Sequence, residues 1–468
     1  MPSRGAIALA AAVLLAGCAG DMPPPSAALP ALPASFDAIP PGWAVANPAD
    51  AAPRGAWWQV FGDPVLDDLE TRAEAASPTL AAALARRDAA RAVLGQVRAQ
   101  TLPEIDATGA LSRTRVARDR PLSQGNAATY TDEKLGAQMT WEVDLWGHVR
   151  QQVAAARADA AASEADLAAA RLALQAAVAD AYARLRGLDA TADLLARSVN
   201  AYATALDLTR RRHLGGVASG LDENRALTVL GNARAQVAEV ASQRAAAEHE
   251  IAALVGATAS GFHIAPATQE LAVPVVPLTT PAALVQRRPD VAAAERRVIA
   301  AGARVGVAHA ALFPTITLGL TGGYEATGGK LLTAPDSTWS LGPIGLSLPL
   351  FDAGRRRAGL AQARAQAAEA TATYRASVLT AFREVEDALA AARDLSREAA
   401  EQKTAAEAAE ATSQLSFVRY REGAANYFEV VTAQTDALNA RRALLAVETR
   451  RAQASIAIVR ALGGPATL

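Results

Sequence analysis

Chemistry at a protein site needs particular residue types at particular spacings. Five histidines, His148, His213, His249, His263 and His309, are scattered without metal-ligand spacing, and no metal site is expected. Gly328-Gly329-Lys330 looks like the end of a phosphate loop but lacks the earlier glycine and the Ser or Thr that should follow the lysine. Cys18 is the only cysteine, which rules out an intramolecular disulfide. Two carboxylates have a distinctive setting. Asp222 follows the turn Leu214-Gly215-Gly216-Val217-Ala218-Ser219-Gly220, and Glu429 follows the turn at Gly423. An acid there caps a helix or sits in its first turn, where the helix dipole favours negative charge. Nothing in this set is arranged for catalysis, so the chain does not read as an enzyme.

The cysteine has a different chemistry available to it. Arg4 supplies a small positive region, Ala6 to Ala16 is an apolar run too short to span a bilayer, and Leu15-Ala16-Gly17-Cys18 resembles the lipobox of bacterial lipoproteins. A plain signal peptide with a chance cysteine is the other reading. On the lipoprotein reading residues 1–17 are a signal peptide and Cys18 becomes the lipidated first residue, carrying acyl chains such as palmitate. The next residues are Ala19 and Gly20, so the aspartate that usually retains such lipoproteins at the inner membrane is missing. That covalent lipid is the only attached group expected; no cofactor is.

The elements that carry these residues follow from composition and periodicity. Nine prolines between residues 23 and 53 make 18–56 an extended tether. Aromatic residues are 4 % of the chain and alanine is abundant, which favours long helices packed closely side by side. The balance of 46 basic and 47 acidic residues, net −1, leaves no electrostatic footprint for nucleic acid. From His148 to His213 there is no proline and one glycine, Gly187, a run that would make a helix roughly 100 Å long. Strand alternation is expected at about 104–116, 130–145, 315–325 and 338–350, with a slip near Pro343 suggesting a bulge. Asp63 or Asp67 is placed to cap the first helix, and Pro78 to break it.

The pattern occurs twice. Pro78 and Pro103 match Pro289 and Pro314 at an offset of 211, and Gly216 and Gly256 match Gly423 and Gly463 at an offset of 207. This predicts a repeat over 57–261 with the long helix pair 148–255, a linker over 262–280, and a second repeat over 281–468 with the helix pair 354–462. Each strand has one apolar and one polar face and suits a tilted membrane strand. No run of 18 uninterrupted apolar residues offers a membrane helix. Four strands cannot close a barrel, and lipid does not tolerate an open edge, so several copies must share one. The long helices carry Arg, Glu and Asp throughout and must project out of the membrane.

Several short motifs in this order resemble the outer-membrane efflux channels of the TolC and OprM type, nearest the lipoprotein branch. They are Trp57-Trp58 with Phe61-Gly62-Asp63-Pro64, Trp141-Glu142-Val143-Asp144-Leu145-Trp146-Gly147, Arg287-Arg288-Pro289-Asp290-Val291 with Ala294-Glu295, Phe313-Pro314, Pro349-Leu350-Phe351-Asp352-Ala353-Gly354, and Tyr420-Arg421-Glu422-Gly423. The resemblance implies an α+β membrane protein. Three chains would form a 12-stranded outer-membrane β-barrel, four strands from each, continuous with a periplasmic α-helical coiled-coil barrel. It implies the passive exit duct of a tripartite pump, fed by an inner-membrane RND-type transporter through a periplasmic adaptor. Drug, metal and solvent exporters share such a component.

The resemblance also gives the two turns a place. Gly215, Gly216 and Gly423 would contact the adaptor at the periplasmic tip, and Asp222 and Glu429 would narrow the closed gate. A capping or first-turn role for both acids stays open beside it. Where the family often carries a further acid one turn later, this chain has Arg225 and Thr432. Arg287-Arg288-Pro289-Asp290 has the form of a helix start. Tyr130, Trp141, Tyr324 and Trp339 form interfacial aromatic girdles or simply pack. Two other functions fit less of the sequence. A type I protein secretion duct shares the channel form. A periplasmic coiled-coil adaptor or scaffold lipoprotein would explain the helices and anchor but not the four strands.

Overall fold

The computed structural model describes residues 55–118, 127–268, 271 and 288–464. The expected signal peptide, Cys18, nearly all of the tether, most of the linker and Arg287 lie outside the described residues. A short 3-10 helix, Trp57–Phe61, precedes α1 (Pro64–Ala76) and α2 (Pro78–Ala99). Then come β1 (Glu104–Val116), β2 (Ala128–Glu142), α3 (His148–Leu214) and α4 (Gly220–Leu254). After the undescribed stretch follow α5 (Pro289–Ala310), β3 (Thr315–Thr327), β4 (Asp336–Ser347), α6 (Arg355–Arg421) and α7 (Tyr427–Ala461). None of the described helices is long and apolar enough to cross a membrane.

The chain divides into two compact units. One draws on Arg86–Ser163 and Ala293–Arg375, the other on residues 55–85, Glu164–Ala292 and Ala376–Leu468. The first unit holds an antiparallel sheet in the order β1-β2-β3-β4. Its register sets Ile105 against Met139, Met139 against Leu320 and Leu320 against Leu341, so these side chains share a face. Leu111, Leu135, Trp141, Ile316, Leu318, Tyr324, Trp339, Ile344 and Leu346 belong to the same face by alternation and pairing. It is left uncovered: Leu341 is 77 % and Ile344 73 % exposed. The opposite face carries Asp106, Thr108, Gln138, Thr140, Asp132, Lys134, Thr321 and Glu325. There the Lys134 ammonium stands 3.2 Å from Asp132 and 3.1 Å from Glu325. The ladder slips between Leu318 and Leu320, opposite Ile344 and Leu341, which is the bulge that Pro343 announced.

Two expectations need correction. Tyr130 pairs with Thr114 on the polar face, so it cannot join a girdle with Trp141, Tyr324 and Trp339. And two strands stop short: β2 at Glu142 rather than near 145, and β4 at Ser347 rather than near 350. The Val143 N–H still donates to Ile316 O at 2.8 Å, but Asp144 turns away to accept the Arg150 N–H at 2.8 Å and so caps α3. Beside this turn Trp146 stacks on Phe313 at 5.1 Å and donates to Pro314 O at 2.7 Å, fixing the end of β2 against the start of β3. Alanine lets α5 and α6 pack closely through Ala301, Val305, Leu360, Ala363 and Ala367. Gly306 admits the Gln151 side chain, which a Cβ would meet at 2.9 Å.

The second unit has the larger core, built on Trp57, Phe61, Leu66, Leu69, Tyr182, Leu185, Ile251, Leu389, Ile458 and Leu462. Asp63 caps α1 by accepting the Val65 and Leu66 N–H groups at 2.8 and 3.3 Å, and its other oxygen accepts the Tyr182 hydroxyl at 2.7 Å. A buried polar knot extends from there. Arg186 donates to Tyr182, Asp189 and Ala265 O at 2.8, 3.0 and 2.9 Å, while Arg244 donates to Asp189, Glu248 and Ile264 O at 2.6, 3.2 and 2.6 Å. Arg288 starts α5 as its motif suggested, buried between Asp290, Glu384 and Ala461 O. At Gly187 of α3 the Thr449 side chain of α7 packs against the backbone where a Cβ would stand.

Glu70 is the costly member of this unit. It is fully buried, and neither carboxylate oxygen has a partner among the described residues. Burial, helped by Glu74 and Asp67, pushes it up to about 9. The folded chain therefore holds a proton there that the unfolded chain gives up, and the associated stability is lost as pH rises from the ordinary carboxylate range towards 9.

Candidate functional site

The two helix turns singled out by glycine and acid lie in the second unit. α3 ends in a Schellman motif: the Val217 N–H donates to Arg212 O at 2.8 Å and the Gly216 N–H to His213 O at 2.9 Å. Gly216 sits at φ +73°, a conformation that costs other residues about 1–2 kcal/mol. α6 ends the same way, with Ala424 N–H to Arg419 O at 2.8 Å, Gly423 N–H to Tyr420 O at 3.0 Å, and Gly423 at φ +84°. Gly215 precedes the first of these motifs and donates its own N–H to Arg211 O at 3.0 Å.

Asp222 and Glu429 both stand in the first turn of the returning helix, and neither is the cap. The caps are Ser219, whose Oγ accepts the Asp222 N–H at 3.3 Å, and Asn426, whose Oδ1 accepts the Glu429 N–H at 3.1 Å. Asp222 returns the bond: its Oδ2 accepts from the Ser219 N–H at 3.3 Å and from the Ser219 hydroxyl at 2.8 Å, completing a capping box. Glu429 makes no such return and lies 3.7 Å from Arg419. The Ser219-x-x-Asp222 spacing is a capping-box pattern, so this cap was readable in advance.

Arg225 stands out in the sequence only as a replacement for an acid; the partners of the arginines are not legible there, and Arg212 is missed altogether. Arg225 faces Phe428 of α7 at 5.2 Å and lies 3.8 Å from Asp222, so it ties one returning helix to the other. Arg212 covers the Tyr420 ring at 4.5 Å and donates to Arg421 O at 3.1 Å. Behind them Tyr202, Tyr420 and Tyr427 close the core of the hairpins; the Tyr202 hydroxyl donates to Gln434 O at 3.2 Å, and burial raises that phenol to about 12. No local spacing marks these pairs, because their members lie about 200 residues apart. Among the described residues no group of His, Cys, Asp or Glu is clustered to hold a metal ion. What the arrangement offers is charge, shape and a rigid turn.

The sequence model of a protein family described as outer membrane efflux protein matches residues 69–257 and 280–464. The pyoverdine export outer membrane protein OpmQ of Pseudomonas aeruginosa is 32 % identical over 465 residues, 98 % of this chain and 96 % of its own. Among solved structures, the outer-membrane channel OprN aligns with a TM-score of 0.83 at 30 % identity, covering 92 % of this chain and 98 % of that one. The outer membrane protein VceC of Vibrio cholerae aligns with a TM-score of 0.80 at 28 % identity, covering 87 % and 98 %. The uncovered apolar sheet face, the long charged helices and these likenesses together establish that the chain belongs to the outer membrane efflux protein family and is an outer-membrane channel protein.

Proposed function

We propose that three copies of the chain pool their sheets into one 12-stranded barrel, and that the long helices form the periplasmic tunnel beneath it. The observation that carries this is the sheet itself. Four strands expose one continuous apolar face, and β1 and β4 each have an outer edge with no strand beside it among the described residues. At membrane depth an unpaired edge is costly, and closure with further copies removes it. A water-exposed scaffold would leave the same apolar face wet. An internal duplication accounts for the helix lengths: α3 and α6 both have 67 residues, α4 and α7 both 35.

In this reading the trimer is the exit duct of a tripartite pump. An inner-membrane RND-type transporter supplies energy, a periplasmic adaptor seats on the turns at Gly215, Gly216 and Gly423, and the duct performs no chemistry. Glu429 narrows its periplasmic mouth, and Asp222, held in the capping box, fixes the matching turn. Cleavage after residue 17 leaves an acylated Cys18 and a tether over 18–56 that add an anchor in the outer membrane. The cargo is small molecules, as the name of the pyoverdine-exporting relative suggests. The test is the state of the protein in detergent. A heat-resistant trimer recovered from outer-membrane fractions is expected; a monomer with its sheet edges open to water would sink the shared barrel.

A further inference from the structure

The uncovered sheet face changes character at the β1–β2 hairpin end. After Ile105, Ala107, Gly109 and Leu111, the next positions of that face on β1 are Arg113 and Arg115, opposite Thr131 and Thr129. Both arginines are exposed, and so is Lys330 in the β3–β4 connection. None of these three side chains pairs with a described residue. The polar face differs: there Lys134 is held between Asp132 and Glu325.

One carboxylate, Glu133, lies on the apolar face among the strand residues, and it makes no ion pair with these three cations. Its Oε1 accepts the Gly329 N–H at 2.7 Å and its Oε2 the Leu331 N–H at 3.3 Å. Gly328 and Gly329 have φ of +72° and +83°, a turn that aims backbone N–H groups at an anion. The Gly328 N–H also donates to Thr131 O at 3.2 Å, in the row that pairs Thr131 with Arg113. The β3–β4 connection is thus pinned on the side of the sheet that bears Arg113, roughly 10 Å from β1 at two strand spacings. Lys330 and Leu332 of this connection are both exposed.

We propose that Arg113, Arg115 and Lys330 bind the phosphates of lipid A in the outer leaflet, with its acyl chains lying on the apolar face around Leu111 and Leu135. The inference rests on the reading that this face meets lipid and that the β1–β2 hairpin end, remote in sequence from the long helices, lies on the outer side. Three cations that outnumber the one carboxylate on this face among the described residues, beside an apolar surface, call for an amphiphile with anionic headgroup charge, and guanidinium groups match phosphate oxygens in bidentate geometry. Thr129 and Thr131 add hydroxyl groups between them.

The test uses the full-length trimer, delipidated and placed in phosphatidylcholine nanodiscs with a small fraction of bis-phosphorylated lipid A, dephosphorylated lipid A or phosphatidylglycerol. Lipid retained per trimer is read by native mass spectrometry. Wild type is expected to retain the phosphorylated form about tenfold better. The variant R113Q/R115Q/K330Q should lose that preference while still running as a heat-resistant trimer. Equal retention of the two forms by wild type overturns the proposal and needs no variant. So does an unchanged preference in the triple variant, or equal retention of phosphatidylglycerol, which would mean general attraction to anionic lipid. A wild type that forms no trimer brings down the shared barrel and this inference together; a trimer without the preference overturns this inference alone.

Discussion

The two helix hairpins share a backbone and differ in what they do with it. Each joins a 67-residue helix to a 35-residue helix through five residues, with the Schellman glycine, the cap and the first-turn acid at matching places. Yet His213 and Gly220 in the first hairpin stand where Tyr420 and Tyr427 stand in the second. The two tyrosines are 3 % and 2 % exposed and meet edge to face at 5.5 Å, with Thr209 and Arg212 closing over Tyr420. In the first hairpin Leu214 is 87 % exposed, and Val217 and Leu221 are also open. Glycine and cap set the shape of a turn; the side chains beside them decide whether it is anchored in the core or left open. The second turn is anchored by its tyrosines, and the first leaves its apolar side chains exposed.

The largest effect should follow from breaking that difference. Tyr427→Ala removes a buried ring and should cost about 3–5 kcal/mol, by the usual scale for large aromatic truncations. Gly220→Ala, at the matching place, puts a Cβ no nearer than 3.7 Å to His213 and should be neutral or stabilising by up to about 1 kcal/mol. Chemical unfolding in detergent, followed by circular dichroism, measures both. If the two variants unfold at the same denaturant concentration, the second hairpin is not anchored by its tyrosines.

Much of this comparison could be read in the sequence, for local reasons. The glycines, Ser219-x-x-Asp222, the strand alternation and Pro343 act through neighbours a few residues away, and so their consequences are visible in a linear string. The rest depends on partners far off in the chain. The Arg186, Asp189, Arg244 and Glu248 knot joins segments 55 or more residues apart, and Arg225 meets Phe428 across 203. Glu70 lies between Leu69 and Ala73, whose stripe turns inward, and nothing local says that an acid would be buried with them. Tyr130 shows a milder failure. Its residue type suggested a lipid interface, but its even place in β2, with Asp132 and Lys134, already put it on the polar face.

A middle-sized effect separates the caps. Ser219→Ala removes the acceptor for the Asp222 N–H and also leaves Asp222 without one of its two partners. Asn426→Ala removes a single bond to the Glu429 N–H. Both losses fall in the range of about 0.5–2 kcal/mol for a cap, with Ser219→Ala near the top and Asn426→Ala near the middle. The same unfolding measurement applies. A larger loss for Asn426→Ala would mean that the capping box contributes less than the packing around Tyr427.

The two acids should cost less stability than the caps, and between them the order should reverse between stability and transport. Asp222 is spent on Ser219: with its Oδ2 bound to the cap's N–H and hydroxyl, it has little freedom to reach into a pore. Glu429 holds only a long contact with Arg419, the kind of exposed pair that contributes about 0–1 kcal/mol. Asp222→Ala should therefore destabilise by about 1 kcal/mol, as loss of half a capping box does, and change single-channel conductance little. Glu429→Ala should cost a few tenths of a kcal/mol, the dipole contribution of an exposed first-turn acid, and alter conductance more. Planar-bilayer recordings of the two variants decide the point. Unchanged conductance in both would return each acid to the single role of opening a helix, and a change confined to Asp222→Ala would mean that the capping box opens in the working channel.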